Sequence, residues 1–156
     1  MDAGFPADKI VFAGVGKADW EINLGLDNEI FCFNVESLAE LRVINELAGL
    51  KGKIARIALR INPDVDAHTH AKITTGLKEN KFGINWSMLN SVLDELENLP
   101  HVRLIGIHCH IGSQITDMSA FRNLAIRIND IQDELDKRGF HIENLNMGGG
   151  LGIDYY

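Results

Sequence analysis

The stretch GIHCHIGSQ (residues 106–114) begins as an apolar β-strand and ends in small residues, and LNMGGGLG (residues 145–152) repeats this change one helix later. Glycines at a strand end let backbone N–H groups approach a phosphate closely, because no Cβ stands between them. The first stretch also supplies an imidazole, His110, and a hydroxyl, Ser113. Together the two stretches predict a site for a flat, phosphorylated cofactor, with the imidazole beside its ring and backbone amides at its phosphate.

Short apolar strands alternate with amphipathic helices along the whole chain. The predicted strands lie at residues 10–14, 30–34, 54–61, 104–110 and 144–147, and the predicted helices near residues 18–26, 38–47, 86–99 and 121–135. The second helix begins with a capping box, Ser37 and Glu40, and the last one is stopped by Gly139. This order of elements predicts an α/β protein with a parallel sheet and right-handed crossovers.

Alternating strands and helices can form either a closed barrel or an open sheet, and the positions of polar residues favour the barrel. Polar or glycine residues follow several successive strands, and they include Asn34, Asn62, His110, Ser113 and residues 148–150. A site built from many strand ends is typical of a (β/α)8 barrel, whereas an open doubly wound sheet concentrates its ligand at one switch point. We therefore favour a barrel. Residues 63–84 show no periodicity, and we expect a loop over the site there.

Composition excludes several classes of protein. The 156 residues are 46% hydrophobic and 24% charged, as in globular domains. A net charge of −7 argues against a nucleic-acid partner. No apolar run has the length of a membrane span, so no membrane partner is expected. Cys32 and Cys109 lie far apart within apolar strands and are expected to be free thiols, which predicts a cytoplasmic protein.

The same residues could also indicate a metal site or a dinucleotide site. His108 and His110 share one strand face and are potential metal ligands, with His68, His70 or Asp154 completing the set, as in a metal-dependent barrel hydrolase. Zinc chemistry, however, has no use for the glycine triplet, so we expect no metal. A dinucleotide site is poorly supported, because the glycine spacing is not G-x-G-x-x-G with an acidic residue about 20 positions later.

Five segments of the sequence resemble the diaminopimelate decarboxylase family, in that family's order. They are FAGVGK (residues 12–17), FNVES (residues 33–37), LRINPDV (residues 59–65), TGLKENKFGI (residues 75–84) and GIHCHIGSQ (residues 106–114). Members of this family depend on pyridoxal 5′-phosphate (PLP) and have the alanine racemase-like barrel. The resemblance implies that residues 1–156 are a fragment of the PLP-binding TIM-barrel domain, covering about strands three to seven, with the C-terminal β-domain absent.

The resemblance also implies roles for individual residues. His110 would stack on the PLP ring, Ser113 would contact the phosphate, and Gly148, Gly149 and Gly150 would form the phosphate cradle. Arg60 is a candidate for the ring oxygen, with a plain salt bridge as the alternative. Asn34 and Glu36 either line the site or only cap the following helix.

Catalytic residues are expected outside this chain. No lysine here lies in the tyrosine-alanine-x-lysine strand that carries the family's Schiff-base lysine, and the segment with the proton-donor cysteine is also missing. The resemblance implies that the full-length parent converts meso-diaminopimelate to L-lysine and carbon dioxide, as a homodimer with its active site at the subunit interface. The alternative is another decarboxylase of this fold, acting on arginine, ornithine or carboxynorspermidine.

The fragment alone is expected to be inactive. Its first and last strands would be unpaired edges, and we expect inner-face residues such as Phe12, Phe33, Leu59 and Ile107 to meet water.

Overall fold

A computed structural model describes residues 3–65 and 82–155. Most of the predicted loop at residues 63–84, including His68 and His70 of the metal hypothesis, lies outside the described residues. The same holds for most of the TGLKENKFGI segment, of which Phe82 onward is described.

The strands form one parallel sheet. They are β1 (Val11–Phe12), β2 (Cys32–Val35), β3 (Ala55–Asn62), β4 (Ile84–Asn85), β5 (Val102–His108) and β6 (Asn144–Asn146). Their order is β1-β2-β3-β5-β6, and β4 pairs with the carboxyl end of β3. All five predicted strands are confirmed with boundaries that differ by a few residues. The short strand β4 was not predicted, because two residues are too few to show a period.

In residues 3–65 and 82–155, four α-helices connect the strands. They are α1 (Asp19–Asp27), α2 (Leu38–Leu50), α3 (Leu89–Leu96) and α4 (Met118–Lys137), and 3₁₀ turns occupy Ala7–Lys9 and Trp86–Met88. The predicted apolar stripe of α4 is buried, from Leu124 to Leu135. Gly139 follows this helix with φ of 78°, a left-handed conformation that glycine adopts without a steric cost. The predicted helix at residues 86–99 is in fact a 3₁₀ turn followed by the shorter α3.

Only half of the predicted capping box forms at α2. The hydroxyl of Ser37 accepts a hydrogen bond from the backbone N–H of Glu40 at 3.2 Å. The carboxylate of Glu40 does not return to the N–H of Ser37. It accepts from the N–H of Glu36 at 2.9 Å and from the ammonium of Lys17. Glu40 thus joins the start of α2 to a charged side chain that follows β1.

The main hydrophobic core lies between the sheet and the helices. Phe33, Leu59 and Ile107 are buried in this core, at 2%, 0% and 1% exposure. The prediction that they lie on the inner face and meet water is therefore wrong. The inner face carries a smaller cluster of Cys32, Ala58 and Ile105, packed against Phe31. Parallel strands are apolar on both faces, so alternation in the sequence does not tell which face is which.

Among residues 3–65 and 82–155, no helix has the length and apolarity needed to cross a membrane. Cys32 and Cys109 are both buried and both free thiols.

Candidate functional site

The carboxyl ends of β2, β3, β5 and β6 bring polar side chains together. Arg60 on β3 and His108 on β5 are register partners, and His108 is in turn the partner of Asn146 on β6. Asn34 lies near the end of β2, and its side chain reaches the imidazole of His108. The structure therefore gathers residues from four strands at one edge of the sheet, as expected for parallel strands that share an active-site face.

The HIGS segment (residues 110–113) and the glycine triplet (residues 148–150) pack directly against each other. The backbone N–H of Cys109 donates to the carbonyl of Asn146 at 2.8 Å, and Ile115 N–H donates to the carbonyl of Gly150 at 2.8 Å. A Cβ placed on Gly148 would lie 2.5 Å from the carbonyl oxygen of Cys109 and 2.9 Å from His110 Nδ1. The glycines are thus required by the approach of two chain segments, one of which carries His110.

Gly150 is the most constrained residue of the triplet. A Cβ there would lie 1.8 Å from the carbonyl oxygen of Gly112, and its φ is +102°. Gly149 differs, because no atom of the described residues lies within 4 Å of its Cβ position. This pair of adjacent glycines combines one position that only glycine fits with one that faces open space.

The backbone donors of the triplet are not equivalent. The N–H of Gly148 already donates to Oδ1 of Asn146 at 2.8 Å. Among the described residues, neither Gly149 N–H nor Gly150 N–H donates a hydrogen bond to the protein. The sequence predicted three successive donors for a phosphate, whereas the described residues leave two of them without a protein acceptor. Ser113 is exposed and His110 is half-buried on the neighbouring segment.

Arg60 forms the salt bridge that the sequence left as an alternative. Its Nη1 lies 2.8 Å from both carboxylate oxygens of Glu36, whose side chain is only 3% exposed. The guanidinium also lies 5.6 Å from the centre of the Phe82 ring. Glu36 therefore holds Arg60 in place and does not cap α2, a role that Ser37 fills.

His108 and Asn34 form a buried pair. The sequence named Asn34 as lining the site or capping α2 and His108 as a potential metal ligand, and it did not predict their contact. Nδ2 of Asn34 lies 3.0 Å from Nδ1 of His108, across 74 residues of chain. Burial and, to a smaller extent, the positive charge of Arg60 lower the pKa of His108 from 6.5 to about 4, while the charge of Glu36 opposes this change. The sequence did contain one signal for His108. Side chains alternate between the faces of a strand, so residues 108 and 110 are expected on the same face.

Lys17 is a second residue that the sequence reasoning missed. Its side chain is 0% exposed. Its ammonium contacts the carbonyl oxygens of Gly14 at 2.8 Å and Asn34 at 2.7 Å and the carboxylate of Glu40 at 2.5 Å. The ammonium thus ties the end of β1 to the end of β2 and to the start of α2. The only sequence signal was its place at the end of the FAGVGK segment.

Neither cysteine is suited to proton transfer near neutral pH. Burial raises the pKa of Cys32 to about 11 and that of Cys109 to about 12. Within residues 3–65 and 82–155, no group of three or more His, Cys, Asp or Glu side chains could hold a metal ion. His108 is also committed to Asn34, while His68 and His70 lie outside the described residues.

Comparison with known proteins identifies the family. The family model described as "pyridoxal-dependent decarboxylase, pyridoxal binding domain" matches residues 1–156. The chain belongs to this family. The curated diaminopimelate decarboxylase of Bacteroides thetaiotaomicron is 63% identical over 153 residues, which cover 98% of this chain and 40% of that protein.

Solved structures of the family confirm the fold. Diaminopimelate decarboxylase from Helicobacter pylori, complexed with L-lysine, matches with a TM-score of 0.89 at 38% identity, over 99% of this chain and 39% of that one. The enzyme from Methanocaldococcus jannaschii matches with a TM-score of 0.85 at 45% identity, over 97% of this chain and 35% of that one. The parallel sheet is therefore the curled wall of a partial (β/α)8 TIM barrel, and the chain spans about two fifths of these relatives or less.

The described residues fit the family's pyridoxal cofactor. The close contact of the glycine triplet with the HIGS segment leaves two backbone N–H donors available beside His110, and no side chain occupies the space above Gly149. Such successive amides suit a phosphate, because their dipoles converge on one anion. The half-buried imidazole on the adjoining segment suits the flat ring of the same ligand.

Proposed function

We propose that this chain is part of the PLP-binding barrel domain of a diaminopimelate decarboxylase, which converts meso-diaminopimelate to L-lysine and carbon dioxide. The observation that carries this proposal is the contact of Gly148 and Gly150 with the segment that bears His110. This contact would place a ring-stacking imidazole beside a phosphate cradle. The choice of substrate is supported by relatives at 45–63% identity across the chain, all named diaminopimelate decarboxylases.

The residues of this chain would bind and orient the cofactor. Gly149 and Gly150 would donate backbone hydrogen bonds to the phosphate, with Ser113 adding its hydroxyl and Gly148 allowing the close approach. His110 would lie on one face of the ring and exclude water from it. Arg60, fixed by Glu36, would place a positive charge near the ring oxygen. When bound, PLP supplies an electron sink for the electron pair that remains when carbon dioxide leaves.

The remaining parts of the active site are proposed to come from the rest of the parent protein. The Schiff-base lysine, the acid at the ring nitrogen and the proton-donor cysteine have no counterpart in the motifs of this chain. We also propose a homodimer with the active site at the subunit interface and a C-terminal β-domain. The amino-acid ligand is supported by relatives solved with L-lysine. The cytoplasmic location predicted from the sequence stays a prediction.

The test uses the full-length protein that contains this chain. We expect it to release carbon dioxide from meso-diaminopimelate and to show little activity on arginine, ornithine or carboxynorspermidine. Activity on ornithine alone would overturn the choice of substrate. Stoichiometric zinc without a PLP chromophore would overturn the decarboxylase assignment.

The variant His110→Ala tests the cofactor site itself. Loss of one stacking face is expected to weaken PLP binding about fivefold or more, which corresponds to roughly 1 kcal/mol. The matched control is His141→Ala, because the side chain of His141 is 87% exposed on the surface. Unchanged PLP affinity and turnover in His110→Ala would show that His110 has only a structural role.

A further inference from the structure

The protonation state of His108 follows from its contact with Asn34. An asparagine Nδ2 is a donor only, so the Nδ1 of His108 that faces it at 3.0 Å must be an acceptor. On the other side of the amide, Oδ1 of Asn34 faces the thiol of Cys32, which lies 3.9 Å away and donates to it. His108 is therefore the neutral imidazole with its proton on Nε2.

The Nε2 atom of His108 reaches accessible space. Within the described part of the chain, Nδ1 makes the ring's only hydrogen bond. No buried side-chain nitrogen or oxygen there lacks a partner. Nε2 is consequently not sealed in the core, and it presents an uncharged N–H donor at the edge of the sheet where the cofactor site is proposed.

Asn34 is itself held rigidly. Its backbone carbonyl accepts from the buried ammonium of Lys17 at 2.7 Å, and that ammonium is in turn paired with Glu40. The partner of Asn34 in the sheet register is Ala58, whose neighbour on β5 is Gly106. Because both residues are small, the imidazole of His108 can reach across β3 to the amide. The Asn34–His108 contact is thus built into three strands.

The charged groups around His108 explain why a neutral ring is needed. Arg60 is its register partner on β3, and the guanidinium is bound to both oxygens of Glu36. His110 lies on the adjoining segment and also acts on the charge of His108. A positive charge on His108 would repel Arg60 and compete with it for Glu36. Asn34, which offers a donor where an imidazolium needs an acceptor, opposes that charge.

We propose that His108 is a positioning residue of the cofactor site, held by Asn34 as the neutral Nε2–H imidazole so that Arg60 keeps its pairing with Glu36 beside the ring-binding His110. This inference rests on the proposed function. It predicts that Asn34→Asp, which places a carboxylate against Nδ1, turns His108 into an imidazolium near neutral pH and disturbs the site without removing any side chain from it.

The first experiment measures the imidazole directly. The full-length protein is labelled with ¹⁵N-histidine, and His108 is assigned by the signal that disappears in His108→Gln. We expect the neutral Nε2–H pattern of ring nitrogen shifts from about pH 5.5 to pH 8, and an imidazolium pattern near pH 7 in Asn34→Asp. A protonated ring, or a proton on Nδ1, in the wild-type protein would overturn the inference.

The second experiment measures PLP binding by fluorescence titration and the pH profile of kcat. Asn34→Asp is expected to bind PLP about tenfold more weakly and to gain an ionisation in its kcat profile. His108→Gln, which keeps an uncharged donor near the Nε2 position, is expected to bind PLP more tightly than His108→Leu and to gain no ionisation in its kcat profile. His108→Leu, which has no donor, is expected to resemble Asn34→Asp, and the exposed His141→Gln is the control.

The outcomes separate this inference from the proposed function. A wild-type protein that binds no PLP refutes the proposed function and with it the role of His108. A wild-type protein that binds PLP and acts on diaminopimelate, while Asn34→Asp and His108→Leu match it in affinity and pH profile, refutes the inference alone.

Discussion

At the scale of single residues, two adjacent glycines differ in whether their positions could hold a Cβ atom. Gly150 has φ of +102° and a Cβ position 1.8 Å from the carbonyl oxygen of Gly112, whereas Gly149 has open space around it. An alanine at position 150 would need a left-handed backbone and would displace the HIGS segment. An alanine at position 149 would keep its N–H donor, and its Cβ would have no atom of the described residues within 4 Å.

We therefore predict that Gly150→Ala destabilises the full-length protein by at least about 1 kcal/mol and weakens PLP binding. Gly149→Ala is the matched control and is expected to change the free energy of unfolding by less than about 0.5 kcal/mol. Denaturant unfolding of the apoprotein and PLP titration measure the two effects. Equal destabilisation of the two apoproteins would contradict the steric explanation.

The buried imidazole of His108 predicts a loss of stability in mild acid. Its pKa is about 4 in the folded chain against an ordinary 6.5. Because the folded pKa is the lower one, the unfolded chain binds more protons between these values. The contribution is fully present above pH 6.5 and is lost as the pH falls toward 4, to a total of about 3 kcal/mol at most.

This loss is measured as the difference between wild-type protein and His108→Gln. Carboxylates that titrate below about pH 5 act in both proteins and cancel in that comparison. We expect the free energy of unfolding of the variant to fall less steeply between pH 6.5 and pH 4. Parallel curves for the two proteins would show that His108 is not held neutral in the folded state.

At the scale of the elements, Lys17 joins β1, β2 and α2 through one ammonium. The group has three oxygen partners, and its side chain is 0% exposed. Removing it would leave the Glu40 carboxylate, which is 11% exposed, without its counter-ion. Breaking a buried pair costs more than the pair contributes, because the remaining charge stays desolvated.

We predict that Lys17→Met lowers the free energy of unfolding by about 3 kcal/mol. The matched control is Lys51→Met, which breaks the more exposed pair of Lys51 with Asp27 and is expected to cost less than about 1 kcal/mol. Chemical denaturation of both full-length variants measures the difference. A loss in Lys17→Met no larger than in Lys51→Met would mean that the ammonium does not hold the strand ends together.

At the scale of the whole molecule, the sheet of the described residues has two open edges. β1 and β6 each pair with one neighbour, and Val11 and Leu145 on these strands are 42% and 45% exposed. Unpaired edges and apolar side chains in water promote association, since each exposed side chain forgoes roughly 1.5–3 kcal/mol. The closed barrel of longer relatives would cover both edges.

We predict that the 156 residues expressed alone aggregate or form oligomers, bind PLP at most weakly, and do not decarboxylate diaminopimelate. Light scattering after size-exclusion chromatography measures association, and borohydride reduction with PLP followed by mass spectrometry detects a covalent lysine adduct. A monomer with one lysine labelled at full yield, and with carbon dioxide released, would contradict this prediction.

The sequence by itself determined the parallel α/β rhythm, the buried stripe of α4, the cap at Ser37 and the two segments that meet at the proposed cofactor site. These features are local, because periodicity, caps and glycines act over a few neighbouring residues. The sequence also carried the resemblance that named the family, since its motifs appear in order along the chain.

Only the tertiary structure decided which residues lie on the inner face, and it placed Phe33, Leu59 and Ile107 in the outer core instead. It also decided that Asn34 binds His108 across 74 residues and that Gly148 has already used its N–H donor. The physical reason is that both faces of a parallel sheet are apolar and that contacts across strands depend on register, which no short stretch of sequence encodes.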